Sequence, residues 1–258
     1  MGNNESEFCH NCLFLEPFFG GSHREFAEGL ISHSRHRWEL LTLPGRFWKW
    51  RMRGASLSLL RKLSNIKGSW NVLMVTDLMS VSDLKALWPG QCPPILLYFH
   101  ESQFTYPLAE GERLDMQYGF TDITSALAAD QVLFNSNNHK AEFLKQGAQF
   151  LERMPDKKPY WVLESIASKS NVVFPGCRFP AGPLALKSLE DTGSPPLIIW
   201  NHRWEFDKGP AQFFRVLDQV AARGIRFRLA LLGERYQNTP AAFEKGCQRY
   251  ADHIVQYG

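Results

Sequence analysis

No window of this 258-residue chain holds the run of about 20 uncharged apolar residues that a membrane-spanning helix needs, so no stable membrane association is expected. The start, Met1-Gly2-Asn3-Asn4-Glu5-Ser6, lacks the basic and apolar regions of a secretory signal, which points to a cytoplasmic protein. It fits the short Met-Gly-x-x-x-Ser acylation pattern, which a plain polar leader satisfies as readily. Cysteine is sparse: the five, at 9, 12, 92, 177 and 247, are odd in number and scattered, as expected of thiols in a reducing compartment. Cys9-His10-Asn11-Cys12 has zinc-like spacing, but no second pair stands at a matching distance to complete four ligands. The phosphate and nucleophile signatures Gly-x-Gly-x-x-Gly after the first strand, Gly-x-x-x-x-Gly-Lys and Gly-x-Ser-x-Gly are all missing, which argues against common dehydrogenases, P-loop NTPases and α/β-hydrolases. There is no Asp-x-Asp pair to hold a diphosphate through a hard cation, so no metal is expected and side chains must neutralise any bound phosphate.

What is present begins with an uneven charge. The net charge is +3, yet the stretch from Arg35 to Lys62 alone carries +7 and leaves −4 for the rest. Its centre is Arg46-Phe47-Trp48-Lys49-Trp50-Arg51-Met52-Arg53. Cations interleaved with flat rings suit phosphate contact and base stacking, so Arg46, Trp48, Lys49, Trp50, Arg51 and Arg53 are candidate nucleic-acid contacts. An amphipathic segment with buried tryptophans and solvated cations explains the same pattern.

Short apolar runs at Val72 to Val75, Ile95 to Phe99, Val132 to Phe134, Val172 to Phe174, Leu197 to Trp200, Phe227 to Leu232 and His253 to Val255 predict strands. They alternate with helical patterns near Val81 to Trp88, Asp122 to Ala129, His139 to Phe150, Pro210 to Arg223 and Pro240 to Ala251, which predicts an α/β fold with a largely parallel sheet. Proline and glycine punctuate residues 176–194, so the expected organisation is a domain over 1–175, a linker over 176–194 and a second, half-sized domain over 195–258. A sheet that small leaves an edge open, and the chain reads as a piece of a longer protein or a product that lost its C-terminal part.

Ligands of open α/β sheets bind beyond the carboxyl ends of the strands, and the residues found there are polar: His100-Glu101-Ser102-Gln103, Asn135-Ser136, Asn201-His202-Arg203 and Gly233-Glu234. Near the start, Leu13-Phe14-Leu15 predicts a strand and Gly20-Gly21 a turn that lets backbone approach a phosphate. Ser22-x-x-Glu25 predicts the capping box of a helix carrying Phe26, Leu30 and Ile31 on one side. With Arg203 and Lys208 opposite, these are two edges of a candidate nucleotide-sugar site.

Six blocks, Glu16-Pro-Phe-Phe-Gly-Gly-Ser-His23, Leu43-Pro-Gly-Arg-Phe-Trp-Lys-Trp-Arg51, Tyr98-Phe-His-Glu-Ser-Gln103, Asp115-Met-Gln-Tyr-Gly119, Val132-Leu-Phe-Asn-Ser136 and His202-Arg-Trp-Glu-Phe-Asp-Lys208, closely resemble the tRNA-queuosine alpha-mannosyltransferases. The resemblance runs from about Leu13 to Gly258 and extends to the broader glycosyltransferase family 4. It implies a GT-B-like fold: an N-terminal Rossmann-like domain on the acceptor side, and here the first part of a second Rossmann-like domain that binds the nucleotide sugar. The implied reaction is metal-independent and retaining transfer of mannose from GDP-mannose, a donor substrate and not a cofactor, to queuosine in the anticodon of tRNA-Asp. By position, Arg203 and Lys208 match the residues that hold the donor diphosphate and stabilise the leaving GDP, and Gly20 and Gly21 match the glycine loop at the reaction centre. His100 matches the histidine that contacts the transferred sugar, with Glu101 orienting it or binding acceptor; Gly233 and Glu234 complete the donor-side candidates. The family 4 Glu-x7-Glu element has no counterpart before Gly258. Two other readings come from different classes: a catalytically silent tRNA- or nucleotide-binding module, and a transferase acting on a lipid or small glycan.

Overall fold

The computed structural model describes residues 9–107, 111, 115–179, 182, 193–233 and 239–258. The described residues cluster into two compact units, one within 1–106 and 113–179 and the other within 107–112 and 180–258. In the first, β1 (Asn11–Phe19), β2 (Arg37–Pro44), β3 (Val72–Thr76), β4 (Ile95–Phe99), β5 (Gln131–Phe134) and β6 (Ser170–Val172) form one parallel sheet in the order β2-β1-β3-β4-β5-β6. The chain grows outward from β1 to β2 and then reverses to β3, so the point where the order reverses lies between β1 and β3. In doubly wound sheets the ligand crevice opens there, beyond the carboxyl ends of those strands.

Strand alternation builds the core. Leu13 and Leu15, Leu73 and Val75, and Leu97 and Phe99 face one side. There they meet α2 (Trp48–Leu63), α3 (Val81–Leu87), α4 (Met116–Ala128), α5 (Asn137–Glu152) and α6 (Trp161–Ser168) through Leu59, Leu84, Ile123, Phe143, Phe150 and Ile166. Phe14, Met74 and Tyr98 face the other side and pack on Phe26, Ala27, Leu30 and Ile31 of α1 (Gly21–His33), the apolar face expected from sequence.

Local signals account for several boundaries. Ser80, Asp115 and Ser136 cap α3, α4 and α5 with side-chain oxygens that accept from the backbone N–H of Asp83, Gln117 and His139. The capping box expected at Ser22 does not form: α1 starts two residues earlier, with extended Gly20 at its N-cap and no side-chain cap bond, because the chain enters the helix directly from the glycine pair. The strand placed at Val172 to Phe174 lies instead at Ser170–Val172, where Val132, Leu133 and Phe134 pair with it. Strand β2 and helices α2 and α6 had no expectation; Arg37–Pro44 is only half-buried at the sheet edge, so its alternation is weak.

The second unit is β7 (Leu197–Asn201), α7 (Pro210–Ala222), β8 (Arg228–Leu232), α8 (Ala241–Arg249) and β9 (Ile254–Tyr257), a three-stranded parallel sheet in the order β7-β8-β9. Its helices pack on one face through Trp200, Phe214, Leu217, Leu229, Leu231 and Phe243. Leu197, Ile199, Val255 and Tyr257 of the sheet are exposed.

Candidate active site

At the switch point a carboxylate sits inside an otherwise apolar strand. Glu16, in β1, is 0% exposed and is held by three donors. The Phe18 backbone N–H donates to Oε1 at 2.8 Å, Thr76 Oγ1 at the end of β3 donates to Oε2 at 3.0 Å, and His23 Nδ1 on α1 lies 3.2 Å from Oε1. The β1–β2 register shifts between Glu16 and Phe19, and this irregularity turns the Phe18 N–H back onto the carboxylate. Burial alone lowers the His23 pKa, but the hydrogen bond and charge of Glu16, helped by Asp77 and Glu101, outweigh it and raise His23 above its ordinary 6.5. Glu16 and His23 therefore form a buried ion pair, supported by hydrogen bonds to Thr76 and Phe18.

The His23 ring lies against His100, centroids 4.0 Å apart, and Phe26 and Tyr98 pack edge-on to His100. The backbone around His100 is fixed from both sides: its N–H donates to Asp77 Oδ1 at 3.0 Å, and its carbonyl accepts from Asn135 Nδ2 at 2.7 Å. Asn135 Oδ1 meets His139 Nδ1 at 3.1 Å and accepts from Ser136 Oγ at 3.1 Å. Burial, then the charges of His23 and His139, hold His100 well below 6.5, so it is a neutral imidazole whose buried Nε2 meets no protein hydrogen-bond partner among the described residues. Burial also drives His139 down to about 4 and Asp77 up to about 7, the latter opposed by His23 and reinforced by Glu101. Asp122, which accepts from the Gln103 N–H at 2.8 Å, is pushed well above its usual range by burial, against that hydrogen bond.

One ligand atom each from Glu16, His23 and His100 lies within 4.8 Å of the others, a spacing that could hold an ion. Both Glu16 oxygens, however, already meet hydrogen-bond partners, and the protonated form of His23 is favoured beside one of them. An ion held there would have to displace the His23 proton and the donors on Glu16, because a ligating histidine must be neutral. Among the residues picked from sequence, His100 joins this cluster and Glu101 lies close enough to act on His23, Asp77 and Asp122 electrostatically. Gly20 and Gly21 connect β1 to the helix that carries His23, with Gly21 at φ +51°.

In the second unit Arg203 follows β7 and its Nη2 is 3.1 Å from Glu205 Oε2. Lys208 lies on the turn before α7, with Nζ 2.7 Å from the nearly buried Asp207. The first turn of α7 has no acidic residue, which leaves its helix dipole available to an anion. Gly233, after β8, has φ +139°, and a Cβ there would stand 2.0 Å from the His202 carbonyl oxygen; only glycine lets these two strand ends approach. Glu234 and the Met1 to Ser6 acylation pattern lie outside the described residues.

The basic, aromatic stretch is the entry to α2. Arg46, Lys49 and Arg53 are exposed, Trp50 is 60% exposed, and Trp48 is half-buried against Tyr118 with ring centroids 5.3 Å apart. Arg51 corrects the sequence expectation. It is 8% exposed, and its guanidinium donates to the Pro44 carbonyl at 3.2 Å, because it falls on the α2 face with Met52 and Ala55.

Residues 11–177 match the family model described as the N-terminal domain of tRNA-queuosine alpha-mannosyltransferase. The chain belongs to the tRNA-queuosine alpha-mannosyltransferase family. A tRNA-queuosine alpha-mannosyltransferase from Drosophila melanogaster is 34% identical over 255 residues, which cover 95% of this chain and 67% of that protein. Among solved structures, the apo lipopolysaccharide outer core galactosyltransferase WaaB superposes with a TM-score of 0.52 at 15% identity, over 96% of this chain and 68% of that one. This likeness establishes the α/β, GT-B-like fold expected from sequence. A UGT transferase from Siraitia grosvenorii solved with UDP gives a TM-score of 0.46 at 12% identity over 96% of this chain and 71% of its own, too distant to build on.

Proposed function

We propose that this family member is a glycosyltransferase that moves mannose from GDP-mannose to queuosine in the anticodon of tRNA-Asp, with retention and without a metal. The observation that carries the reading is the 34% identity, along almost the whole chain, to a protein named for that reaction. The residue chemistry is consistent with it. His100, neutral and fixed by Asp77 and Asn135, is a hydrogen-bond partner for the transferred sugar, and Glu16 favours the protonated form of the neighbouring His23. Arg203 and Lys208, on exchanging Glu205 and Asp207 for a diphosphate, would neutralise it together with the acid-free start of α7, the task a metal would otherwise perform as the leaving group gains charge. Gly20 and Gly21 leave room for the donor at the reaction centre, and Glu101 orients His100 or binds acceptor. On the acceptor side, Arg46, Lys49, Trp50 and Arg53 form an exposed face of cations and rings suited to folded RNA. No helix among the described residues is long and apolar enough to cross a membrane.

The test is a donor panel. Protein, queuosine-containing tRNA-Asp and one nucleotide sugar at a time are incubated, and the digested nucleosides are weighed by mass spectrometry. A hexose gained only with GDP-mannose supports the reading. Equal or faster transfer from a uridine-linked sugar would overturn the donor assignment, and transfer to unmodified tRNA would overturn the acceptor.

A further inference from the structure

Phe47 is poorly suited to every local role at its position. It is the N-cap of α2, where Asn, Asp, Ser or Gly is favoured, and it offers no side-chain cap bond. Its backbone is left-handed, φ 58° and ψ 51°, a region that strains a bulky side chain and persists where the surroundings impose it. Nor does burial compensate, since Phe47 is 68% exposed. The neighbouring backbone explains what imposes the conformation. Pro44 pairs with Phe19 at the end of β1, and a Cβ on Gly45 would lie 3.1 Å from the Gly20 Cα and 3.3 Å from the Phe19 carbonyl carbon. The turn before α2 is thus pressed against the glycine loop, which leads within two residues to His23 and through it to His100.

Around this ring several cations lie against aromatic rings. The Arg46 guanidinium lies 5.6 Å from the Phe47 centroid, Lys49 sits over Trp48 at 5.5 Å, and Arg53 lies 5.9 Å from Tyr118. Helix α2 contains no acidic residue to oppose a polyanion. We infer that Phe47 is a stacking platform for an unpaired base of the RNA acceptor, positioned by the strained turn beside the glycine loop so that the nucleotide flanking the modified one rests on it. This inference rests on the acceptor reading above and names its contact point. An exposed ring beside cations suits a splayed, single-stranded base and not a paired stem, because every base presents a π-face only when unstacked.

Binding of a fluorescent anticodon stem-loop carrying queuosine is measured for the wild type, Phe47→Ala, Phe47→Leu, Phe47→Trp and Phe47→Asn. Stacking is worth about 5- to 160-fold in affinity per base, so Ala, Leu and Asn weaken binding by that factor while Trp stays within about 2-fold of wild type. Asn, at home in the left-handed region, keeps or raises the melting temperature while still losing affinity. The salt dependence of binding keeps its slope in all four, since no phosphate contact is removed. A stem-loop with an abasic site at one flanking position erases the difference between wild type and Phe47→Ala. Unaltered affinity in Ala and Asn, with wild-type binding intact, would overturn this inference alone, as would a fall in the melting temperature of Phe47→Asn. A wild-type chain that does not bind the stem-loop would overturn the acceptor reading itself.

Discussion

Removing the Glu16 carboxylate tests whether the cluster at the switch point is built as described. In Glu16→Ala the Phe18 N–H and His23 Nδ1 lose their acceptor in a site with no solvent, while the Thr76 hydroxyl can rotate to seek another. Each orphaned donor costs about 1–3 kcal/mol, and breaking a buried pair costs about 3–5 kcal/mol in all, a large fraction of an ordinary domain's stability of about 5–15 kcal/mol. Glu16→Gln keeps an oxygen for Phe18 and His23 and lets Thr76 accept from its amide, so its expected cost is about 1–2 kcal/mol. The two variants separate packing from charge. In the wild type, the folded His23 pKa is raised above its unfolded 6.5, so its contribution to stability is full below 6.5 and is lost as pH rises through the folded value. In Glu16→Gln burial dominates and the folded pKa drops below 6.5, so the sign inverts: the contribution is present above 6.5 and is lost as pH falls. Chemical denaturation and NMR titration of the His23 ring protons read both effects. A Glu16→Ala protein as stable as wild type, or a His23 that titrates identically in wild type and Glu16→Gln, would refute the buried ion pair.

Arg203→Ala and Lys208→Ala, assayed for mannose transfer, are each expected to lose about 2–4 kcal/mol of transition-state stabilisation with the fold intact by circular dichroism; undiminished turnover in both would remove them from the donor site. Transfer should survive chelation, and a loss in EDTA that manganese or magnesium restores would show a required metal, with the Glu16, His23 and His100 group the first place to look. Lys49→Ala with Arg53→Ala should weaken tRNA binding and flatten its log–log salt dependence by about 0.7 to 0.9 per lost phosphate contact, read by filter binding across ionic strength; a normal slope would return these cations to a solvated helix face. Arg51→Ala should instead act on stability, because its guanidinium is engaged with the Pro44 carbonyl.

The legible parts of the sequence were those with a strong local pattern. Apolar runs such as Ile95 to Phe99 were predicted with both boundaries correct, because a strand covered on both faces is apolar nearly throughout. Edge strand β2 is covered less, carries Arg37 and Glu39 among its apolar residues, and gave no such run. The site was half legible. His100 and Asn135 stand directly after strands, where polar residues attract notice. Glu16, His23, Asp77, Asp122 and His139 do not share one signal: His23, Asp122 and His139 lie on helices, and they reach the residues after β4 only through tertiary contacts, His23 by ring contact with His100, Asp122 by accepting from the Gln103 N–H and His139 through Asn135. Glu16 alone had a readable mark, a lone carboxylate after Leu13-Phe14-Leu15 in a buried strand, where only a set of donors makes a charge tolerable. Arg51 shows the opposite failure, since composition cannot tell a solvated cation from one turned inward by helical phase.

The central claim is tested most directly on the tRNA itself. Queuosine nucleosides from tRNA-Asp of cells that carry the gene for this chain are compared by mass spectrometry with those of cells from which the gene is deleted, and then with cells given it back. The account predicts a mannosylated queuosine that disappears on deletion and returns with the wild-type gene but not with Arg203→Ala. Mannosylated queuosine at equal levels in all of these cells would contradict it.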